Sequence, residues 1–380
     1  MEIVGIIAEY NPFHNGHIYH INKIKEMYPD SIIVAIVSGN FTQRGIPSII
    51  VKWEKTKIAL KYGIDLVIEL PFPFASQSSD VFAKGAISLL KELKVNKLIF
   101  GSESNDIENL KELARIQELD EYQEEVKKYI DVFNYPTALN KAFEKFNVTG
   151  INEANDLLAL SYIKEINKQK ANIEPISIKR TNNYHSLEIE NISSATSIRN
   201  AIINNQSIMK SVPKETLNSL EEHIFLLEDY YKLLRYKILS SDNLEIYQTV
   251  TPDLANKIKK EILVSNSWDN LVFNLKSKKY TYNRINRMLI HILCNFTKKL
   301  ANSFNDIEYI RVLGFNNIGK DYLNKIKKEV NIPIITTFSK GNSKMLDYEK
   351  QVSNIYASIL PNDQINNYLK KEYQELIKED

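Results

Sequence analysis

Four continuous apolar segments alternate with helix-forming segments over the first 101 residues of the chain. The apolar segments cover residues 3–8, 31–37, 65–70 and 97–100, and helical spacing of apolar residues falls at about 17–27, 53–62 and 80–93. A strand that is apolar along its whole length needs cover on both faces, and the connecting helices supply that cover. The alternation therefore predicts an α/β fold built on a parallel sheet with helices on both sides.

The pattern changes after residue 101 and again near residue 210. The later predicted elements are helices over 106–170, a fifth strand over 173–179, a helix that starts after Ser193 and Ser194 and runs to Ile202, helices throughout 212–300, and a strand–helix–strand unit over 307–313, 319–329 and 332–338. We therefore predict two domains. Residues 1–210 form the parallel-sheet domain, and residues 211–380 form a mostly helical domain with a small late β-α-β unit.

Composition places the chain among ordinary globular proteins. Of its 380 residues, 43% are hydrophobic and 25% are charged, which excludes a disordered, a collagen-like or a disulfide-stapled chain. The single cysteine, Cys294, cannot form an intrachain disulfide, and this favours the cytoplasm. No apolar run reaches the ~18 residues of a membrane-spanning helix. The acidic Glu2 and the lack of a basic segment before the first apolar run argue against a signal peptide.

A basic segment interrupts a chain that is almost neutral overall, with 49 Lys and Arg against 47 Asp and Glu. Residues 271–300 contain seven Lys or Arg and no acid, and residues 276–287 read KSKKYTYNRINR. Basic groups neutralise phosphates and tyrosines stack on unpaired bases, so the segment predicts an RNA partner. Apolar spacing from Ile285 onward places Arg284 and Arg287 on an exposed helix face. The alternative is a solvated helix face with buried tyrosines. The candidate contacts are Lys276, Lys278, Lys279, Tyr280, Arg284 and Arg287.

Three of the six histidines, His14, His17 and His20, lie at the turn from the first strand into the first helix. Ligands of doubly wound sheets bind at the carboxyl ends of the strands, and a helix N-terminus attracts phosphate. Imidazoles at this turn can stabilise the charge that develops in phosphoryl or nucleotidyl transfer. Two alternatives remain: a zinc site formed by the three histidines, with Glu9 as the nearby acid, or histidines without a function.

A second helix start carries Ser193, Ser194, Ser197 and Arg199. Hydroxyls, free N–H groups and an arginine there suit phosphate, while the alternative is a serine-capped helix with an exposed arginine. Arg44 and Lys52 are further phosphate candidates, and each can equally be a surface charge.

Several motifs together resemble one enzyme family. Residues 11–17 (NPFHNGH) resemble the His-x-Gly-His motif of the nucleotidyltransferase superfamily, and residues 5–17 (GIIAEYNPFHNGH) resemble the start of the bacterial tRNA(Met) cytidine acetate ligases. The further matching blocks are 38–45 (SGNFTQRG), 65–71 (DLVIELP), 100–103 (FGSE), 177–180 with Tyr184 and His185, and 194–199 (SATSIR). The chain departs from the family pattern at Lys55, Ala159 and Ser186.

The resemblance implies a Rossmann-like N-terminal nucleotidyltransferase domain and a two-step ligase reaction. Acetate and ATP would form acetyl-adenylate and pyrophosphate, and the acetyl group would pass to N4 of the wobble cytidine of elongator tRNA(Met). ATP would be a substrate that brings Mg²⁺ as its complex, with no metal bound by the protein itself. The resemblance implies a cytoplasmic enzyme that needs no membrane, and it leaves the oligomeric state open.

The resemblance also assigns site residues. His14 and His17 would be catalytic, and the basic segment would contact the tRNA. The residues implied for ATP are Ile7, Ala8, Glu9, Tyr10, Asn11, Pro12, Phe13, His14, Asn15, Gly16, His17, His20, Gly101, Asn155, Arg180, Ser194 and Arg199. Two other functions stay open at this point: a related nucleotidyltransferase that acts on a small metabolite, and a non-catalytic factor that binds ATP or RNA.

Overall fold

One eight-stranded sheet organises the chain in the computed structural model, which describes residues 1–151, 153–180 and 191–379. The second strand is buried at every residue, so helices cover both faces of the sheet at its centre. The strands are β1 (Ile3–Ala8), β2 (Ile32–Ser38), β3 (Leu66–Leu70), β4 (Lys97–Ser102), β5 (Glu174–Lys179), β6 (Ile310–Phe315), β7 (Ile334–Ile335) and β8 (Ile377–Lys378).

The strand order is β5-β4-β1-β2-β3-β6-β7, and β8 pairs with β6. The five N-terminal strands are all parallel. The chain winds outward from β1 through β2 to β3 and then crosses back to β4 on the other side of β1. The switch of direction therefore lies between β1 and β4, where a doubly wound sheet opens a crevice at the carboxyl ends of its strands.

Helices connect the strands and form most of the second half of the chain. The α-helices of the described residues are α1 (Asn15–Met27), α2 (Lys52–Lys61), α3 (Phe72–Ala75), α4 (Ser79–Glu92), α5 (Ile107–Gln117), α6 (Asp120–Tyr129), α7 (Tyr135–Glu144), α8 (Ala154–Lys168), α9 (Ala195–Ile203), α10 (Lys214–Glu222), α11 (Tyr231–Leu239), α12 (Pro252–Glu261), α13 (Trp268–Leu275), α14 (Tyr282–Leu293), α15 (Lys298–Ala301), α16 (Asn317–Ile326), α17 (Lys344–Ala357) and α18 (Asn362–Gln374).

The structure confirms the predicted alternation and the late β-α-β unit, and it shifts some boundaries. Gly101 lies inside β4 and not after it, because β4 pairs with β5 as far as Ser102. The late β-α-β unit is not a separate sheet, because β6 pairs antiparallel with β3 and so extends the N-terminal sheet. One apolar core includes residues of both halves. The division of the chain at residue 210 stays a prediction.

A buried group of charges connects the C-terminal helix to the sheet. Lys52 Nζ lies 2.7 Å from Glu69 Oε1 and 2.8 Å from Glu372 Oε1. Arg311 pairs with the same two carboxylates through Glu69 Oε2 at 3.0 Å and Glu372 Oε2 at 2.5 Å. All four side chains are at most 2% exposed. Lys52 is therefore a structural cation, and its prediction as a phosphate ligand is wrong.

Candidate functional site

The carboxyl ends of β1 and β4 open into a crevice of about 750 Å³. Its walls come from elements that are far apart in sequence. They are the end of β1, the N-termini of α1, α4 and α9, the loop after β2, the end of β4, the first half of α8, the segment 130–136 and the start of α14. The switch point predicted from the strand pattern is thus a place where segments that are far apart in sequence meet.

The turn after β1 is fixed by an asparagine. Tyr10 has a φ of +47°, in the left-handed region, and the Asn11–Pro12 peptide bond is cis. The Asn11 side chain donates to the carbonyl of Pro47 at 3.1 Å and accepts from the N–H of Ile49 at 2.7 Å. The Asn11 carbonyl accepts from Arg199 Nη1 at 2.6 Å. These bonds hold the turn from two sides and set the direction in which α1 starts.

His14 and His17 form the N-terminal cap of α1, and each accepts a backbone hydrogen bond. The Nδ1 of His14 accepts from the N–H of Gly16 at 3.1 Å, and the Nδ1 of His17 accepts from the N–H of His14 at 3.1 Å. The two rings stack with centroids 3.8 Å apart. Because both Nδ1 atoms accept, the ring protons lie on the Nε2 atoms, which are left to donate to a ligand in the crevice. Gly16 is needed here, since a Cβ would lie 2.9 Å from His14 Cε1.

These histidines are neutral at physiological pH. Burial, with the charges of Arg180 and Arg199, lowers the pKa of His14 to about 3. Burial also holds the pKa of His17 well below its ordinary value, with further lowering by its two neighbouring histidines and Arg180. His20 follows with a pKa of about 4, and its Nε2 has no hydrogen-bond partner among the described residues. The pair therefore offers N–H donors without adding positive charge.

The opposite wall, at the end of β4, is built around two carboxylates. Asp156 accepts from Ser102 Oγ at 2.5 Å and from the N–H groups of Glu103 and Ser104 at 3.0 Å. Glu103 in turn accepts from the Asn155 side chain and lies 3.8 Å from Arg180 Nε. Asn155 and Arg180 are thereby held at the crevice, which Gly101 also lines. Their assignment to the nucleotide stays a prediction.

The N-terminus of α9 lies on the same crevice. Ser194 Oγ caps the helix by accepting from the N–H of Ser197 at 3.1 Å, and Ser194 also lines the crevice. Arg44 reaches this helix and donates to Thr196 Oγ1 at 2.9 Å. Arg199 does not line the crevice. It supports the turn after β1 through Asn11, so the structure gives it a positioning contact.

The predicted ATP residues fall into two groups. The residues that line the crevice are Ile7, Ala8, Glu9, Tyr10, Asn11, His14, His17, His20, Gly101, Asn155, Arg180 and Ser194. Those that lie behind it are Pro12, Phe13, Asn15, Gly16 and Arg199. Phe13 packs in the core against Tyr62, and Asn15 donates to the carbonyls of residues 191 and 210. The motif residues Tyr184 and His185, and the departure Ser186, lie outside the described residues.

The basic segment meets the same crevice, and one prediction about it is wrong. Arg284 and Arg287 do not lie on an exposed helix face: both are half-buried and line the crevice. Arg284 stacks over the Tyr280 ring at 4.7 Å, and Arg287 donates to the carbonyl of Gln43 at 3.1 Å. The apolar spacing of α14 could not show this, because Arg287 contacts the loop after β2, which is far away in sequence.

The rest of the segment remains at the surface. Lys276 and Lys278 are exposed. Lys279 lines the mouth of the crevice, where its Nζ lies 3.6 Å from Asp131 Oδ1. The loop around Lys278 also contacts the segment 130–136, since Asn134 donates to the Lys278 carbonyl at 3.4 Å. The exposed lysines and the crevice mouth therefore form one continuous surface.

Sequence reasoning missed several lining residues. The start of α4 (residues 77–82), Gln43, Tyr162 and Thr196 all line the crevice. One signal was available for the start of α4: it follows β3, and the carboxyl ends of parallel strands share one edge of the sheet. Gln43 lies in the block 38–45 (SGNFTQRG), but no feature of the sequence indicated that it would line a site.

The described residues contain neither a metal-binding cluster nor a membrane-spanning helix. Within 1–151, 153–180 and 191–379, no three or more His, Cys, Asp or Glu side chains are grouped so as to hold a metal ion. Across the same part of the chain, no helix has both the length and the apolar character needed to cross a membrane.

Known proteins match this chain along almost its whole length. A model of the HIGH nucleotidyl transferase family matches residues 1–372. The tRNA(Met) cytidine acetate ligase of Caldicellulosiruptor bescii is 41% identical over 87% of this chain and 86% of its own length. That of Geobacillus sp. (strain WCH70) is 35% identical over 98% of both chains. The chain belongs to the tRNA(Met) cytidine acetate ligase family.

Solved structures agree with this family of ligases. The apo structure of Thermotoga maritima TmcAL superimposes with a TM-score of 0.91 at 28% identity, and all of both chains are covered. The same protein bound with alpha-thio ATP gives a TM-score of 0.88 at 29% identity, again over both whole chains. The resemblance found in the sequence and the predicted Rossmann-like nucleotidyltransferase fold are both confirmed.

Proposed function

We propose that this chain is an ATP-dependent ligase that acetylates N4 of the wobble cytidine of elongator tRNA(Met). It first activates acetate as acetyl-adenylate and then transfers the acetyl group to the RNA. Family membership supports the proposal, and so does the structure of Thermotoga maritima TmcAL bound with alpha-thio ATP. Because tRNA is the acceptor, we propose that the enzyme acts in the cytoplasm.

The stacked pair of His14 and His17 is the observation that carries the proposal. Their Nε2 donors stand at the start of α1 and at the switch point of the sheet. A neutral donor pair fixed by its own helix cap needs no reorganisation when charge develops on a phosphate. Such an arrangement suits nucleotidyl transfer better than ordinary binding of a neutral metabolite.

In the first step, a carboxylate oxygen of acetate attacks the α-phosphorus of ATP, and the α–β bridging oxygen leaves with pyrophosphate. We assign the phosphates to the N-termini of α1 and α9, with His14, His17 and Ser194 as side-chain donors. Gly101, Asn155 and Arg180 would hold the nucleoside at the end of β4. Mg²⁺ would enter as the ATP complex and neutralise part of the phosphate charge.

In the second step, N4 of the cytidine attacks the acetyl carbonyl carbon, the bond from that carbon to the phosphate oxygen breaks, AMP leaves with the electron pair, and N4 gives one proton to solvent. The exposed Lys276 and Lys278 and the mouth residue Lys279 would neutralise phosphates of the anticodon arm. Tyr280 would contribute stacking, with Arg284 over its other face. The continuity of this surface with the crevice supports the assignment, since the base must reach the acetyl-adenylate.

Pyrophosphate release tests the first step without RNA. The purified chain is incubated with ATP and acetate, and in parallel with ATP and a panel of phosphorylated metabolites. We expect pyrophosphate to appear only with the carboxylate. Release that depends on a phosphorylated metabolite and not on acetate would favour a different nucleotidyltransferase and contradict the proposal.

A further inference from the structure

Arg287 lines the crevice, and its positive charge has no ion-pair partner among the described residues. Its Nη1 donates to the carbonyl of Gln43 at 3.1 Å, and no described Asp or Glu lies within ion-pair distance of its guanidinium. Burial, with the nearby Arg284, lowers the pKa of Arg287 to about 10 although the Glu9 carboxylate acts in the opposite direction, so Arg287 remains charged at physiological pH. Glu9 forms no ion pair with Arg287 and accepts instead from the N–H of Gln43. A half-buried guanidinium with remaining N–H donors can therefore still receive an anion.

The position of Arg287 is fixed by backbone packing. Gly45 has a φ of +70°, and a Cβ there would lie 2.2 Å from the backbone nitrogen of Arg287. The loop after β2 therefore lies directly against α14. On the other side, Trp268 Nε1 donates to the side chain of the neighbouring Asn286 at 3.0 Å. The guanidinium is thus held in place before any ligand binds, which lowers the entropy cost of binding.

The loop after β2 contacts both α14 and α9. Glu9 Oε1 accepts from the N–H of Gln43 at 2.8 Å while Arg287 donates to the carbonyl of Gln43, so this residue is held at both ends of its backbone. The next residue, Arg44, reaches in the other direction to Thr196 on α9. The phosphate donors assigned above lie on the α1 and α9 side. Arg287 lies on the α14 side.

The first step requires one anion on each side of the α-phosphorus, the attacking carboxylate and the leaving pyrophosphate. In displacement at the α-phosphorus, the attacking and leaving oxygens lie roughly in line, so the carboxylate approaches from the side opposite the leaving pyrophosphate. Because we assign pyrophosphate to the α1 and α9 helix ends, we place the attacking carboxylate at the α14 wall of the same crevice. A guanidinium fork matches a carboxylate with two N–H···O bonds and leaves one oxygen lone pair directed at the phosphorus.

We propose that Arg287 binds the carboxylate of the acyl substrate and orients it for attack on ATP. The proposal rests on the function proposed above and names the residue that binds its small substrate. No proton moves in this step: a C–O–P bond forms, the bond from the α-phosphorus to the bridging oxygen breaks, and the electron pair leaves with pyrophosphate. Arg287 is then a substrate-binding residue and not, as the sequence predicted, a contact for tRNA phosphate.

The test compares Arg287→Gln and Arg287→Lys with Arg235→Gln, an exposed arginine on α11, which packs against α14 outside the crevice. The KM for acetate is measured by pyrophosphate release, and the Kd of a non-hydrolysable ATP analogue is measured by calorimetry without acetate. We expect Arg287→Gln to raise the KM for acetate about 10–100-fold, the loss of a charged hydrogen-bonding partner. The Kd of the nucleotide should change by less than about threefold. Arg287→Lys should give a smaller rise in KM, and the control should match wild type.

Three outcomes overturn the inference. An equal loss of nucleotide affinity would assign Arg287 to the ATP phosphates. An unchanged KM for acetate with a raised KM for tRNA would assign it to the RNA. An unchanged KM for both would leave it without a ligand. If Arg287→Gln does not fold, the lysine variant decides among the same results. A wild-type enzyme that releases no pyrophosphate with acetate would instead contradict the proposed function.

Discussion

At the scale of single residues, His14 has two separate tasks on two ring nitrogens. Its Nδ1 caps α1 and its Nε2 faces the crevice as a donor. An ordinary cap residue such as Asn or Ser could cap the helix but would not supply the second donor. The imidazole therefore explains why a histidine, and not a more common cap, stands at this helix start.

Substitution of His14 separates the two tasks. His14→Asn keeps a cap acceptor but loses the Nε2 donor, whereas His14→Ala loses both. We expect both variants to form acetyl-adenylate about 10²–10³-fold more slowly, the usual cost of one preorganised donor. Only His14→Ala should lose the ~0.5–2 kcal/mol of unfolding free energy that a cap contributes. Pyrophosphate release and urea unfolding measure the two effects. A near wild-type rate for His14→Asn would remove His14 from catalysis.

The low pKa values of the buried histidines predict how stability depends on pH. The pKa of His14 falls from an ordinary 6.5 to about 3 on folding, and that of His20 to about 4. Between these values the unfolded chain binds more protons than the folded one, so the unfolding free energy falls as pH drops below about 6.5. We expect a shallower fall for His14→Asn, because one titrating group is removed. Urea unfolding from pH 7 to pH 4 measures the unfolding free energy of both proteins as a function of pH. Equal slopes for wild type and His14→Asn would show that burial does not lower the pKa of His14.

At the scale of elements, the loop after β2 decides where the C-terminal half meets the site. Its glycine, Gly45, combines a positive φ with a close approach to the backbone of α14. A side chain cannot be accommodated by rotating a neighbour, because the facing atoms are main-chain atoms. The loop and the helix therefore form one rigid support for Arg287 and Gln43.

Gly45→Ala tests this contact. The positive φ alone costs an alanine roughly 1–2 kcal/mol, and the steric clash with α14 adds to it. We expect lower unfolding free energy together with a raised KM for acetate, since Arg287 is displaced from Gln43. The affinity for an ATP analogue should change less, because the atoms nearest to an added Cβ belong to the backbone of α14. Wild-type stability and wild-type KM together would show that the loop adapts at no cost.

At the scale of the whole molecule, the C-terminal half completes the N-terminal sheet. The strand β6 pairs with β3, and the last helix, α18, supplies Glu372 to the buried charges around Lys52. Removing one member of such a group leaves the others as unpaired buried charges. The two halves of the chain are therefore expected to unfold together.

Lys52→Met makes this cooperation measurable. It leaves Glu69 and Glu372 with Arg311 as their ion-pair partner among the described residues, and we expect a loss of about 3–5 kcal/mol of unfolding free energy. Lys57→Met is the matched control, because Lys57 is an exposed residue of the same helix that pairs with Glu54, and its loss should cost less than about 0.5 kcal/mol. Equal effects of the two substitutions in urea unfolding would contradict the role given to the buried group.

The sequence predicted what depends on neighbours along the chain. The strands and helices of the first 101 residues, the histidine turn and its place at the sheet edge all follow from local patterns. Contacts between distant segments did not follow. Arg287 is covered by a loop 244 residues away, and Lys52 is neutralised by a helix near the C-terminus. Apolar spacing reports which face of a helix is buried, but it does not report a polar face covered by another segment.

The most direct test of the central claim follows the acetyl group. Wild-type protein and His14→Asn are incubated with ATP, ¹⁴C-acetate and total bacterial tRNA, and the digested nucleosides are separated. We expect label in N4-acetylcytidine with the wild-type protein, dependent on ATP and almost absent with His14→Asn. Label that stays out of the RNA while acetyl-adenylate accumulates, or that appears in another nucleoside, would contradict the claim that this enzyme acetylates the wobble cytidine.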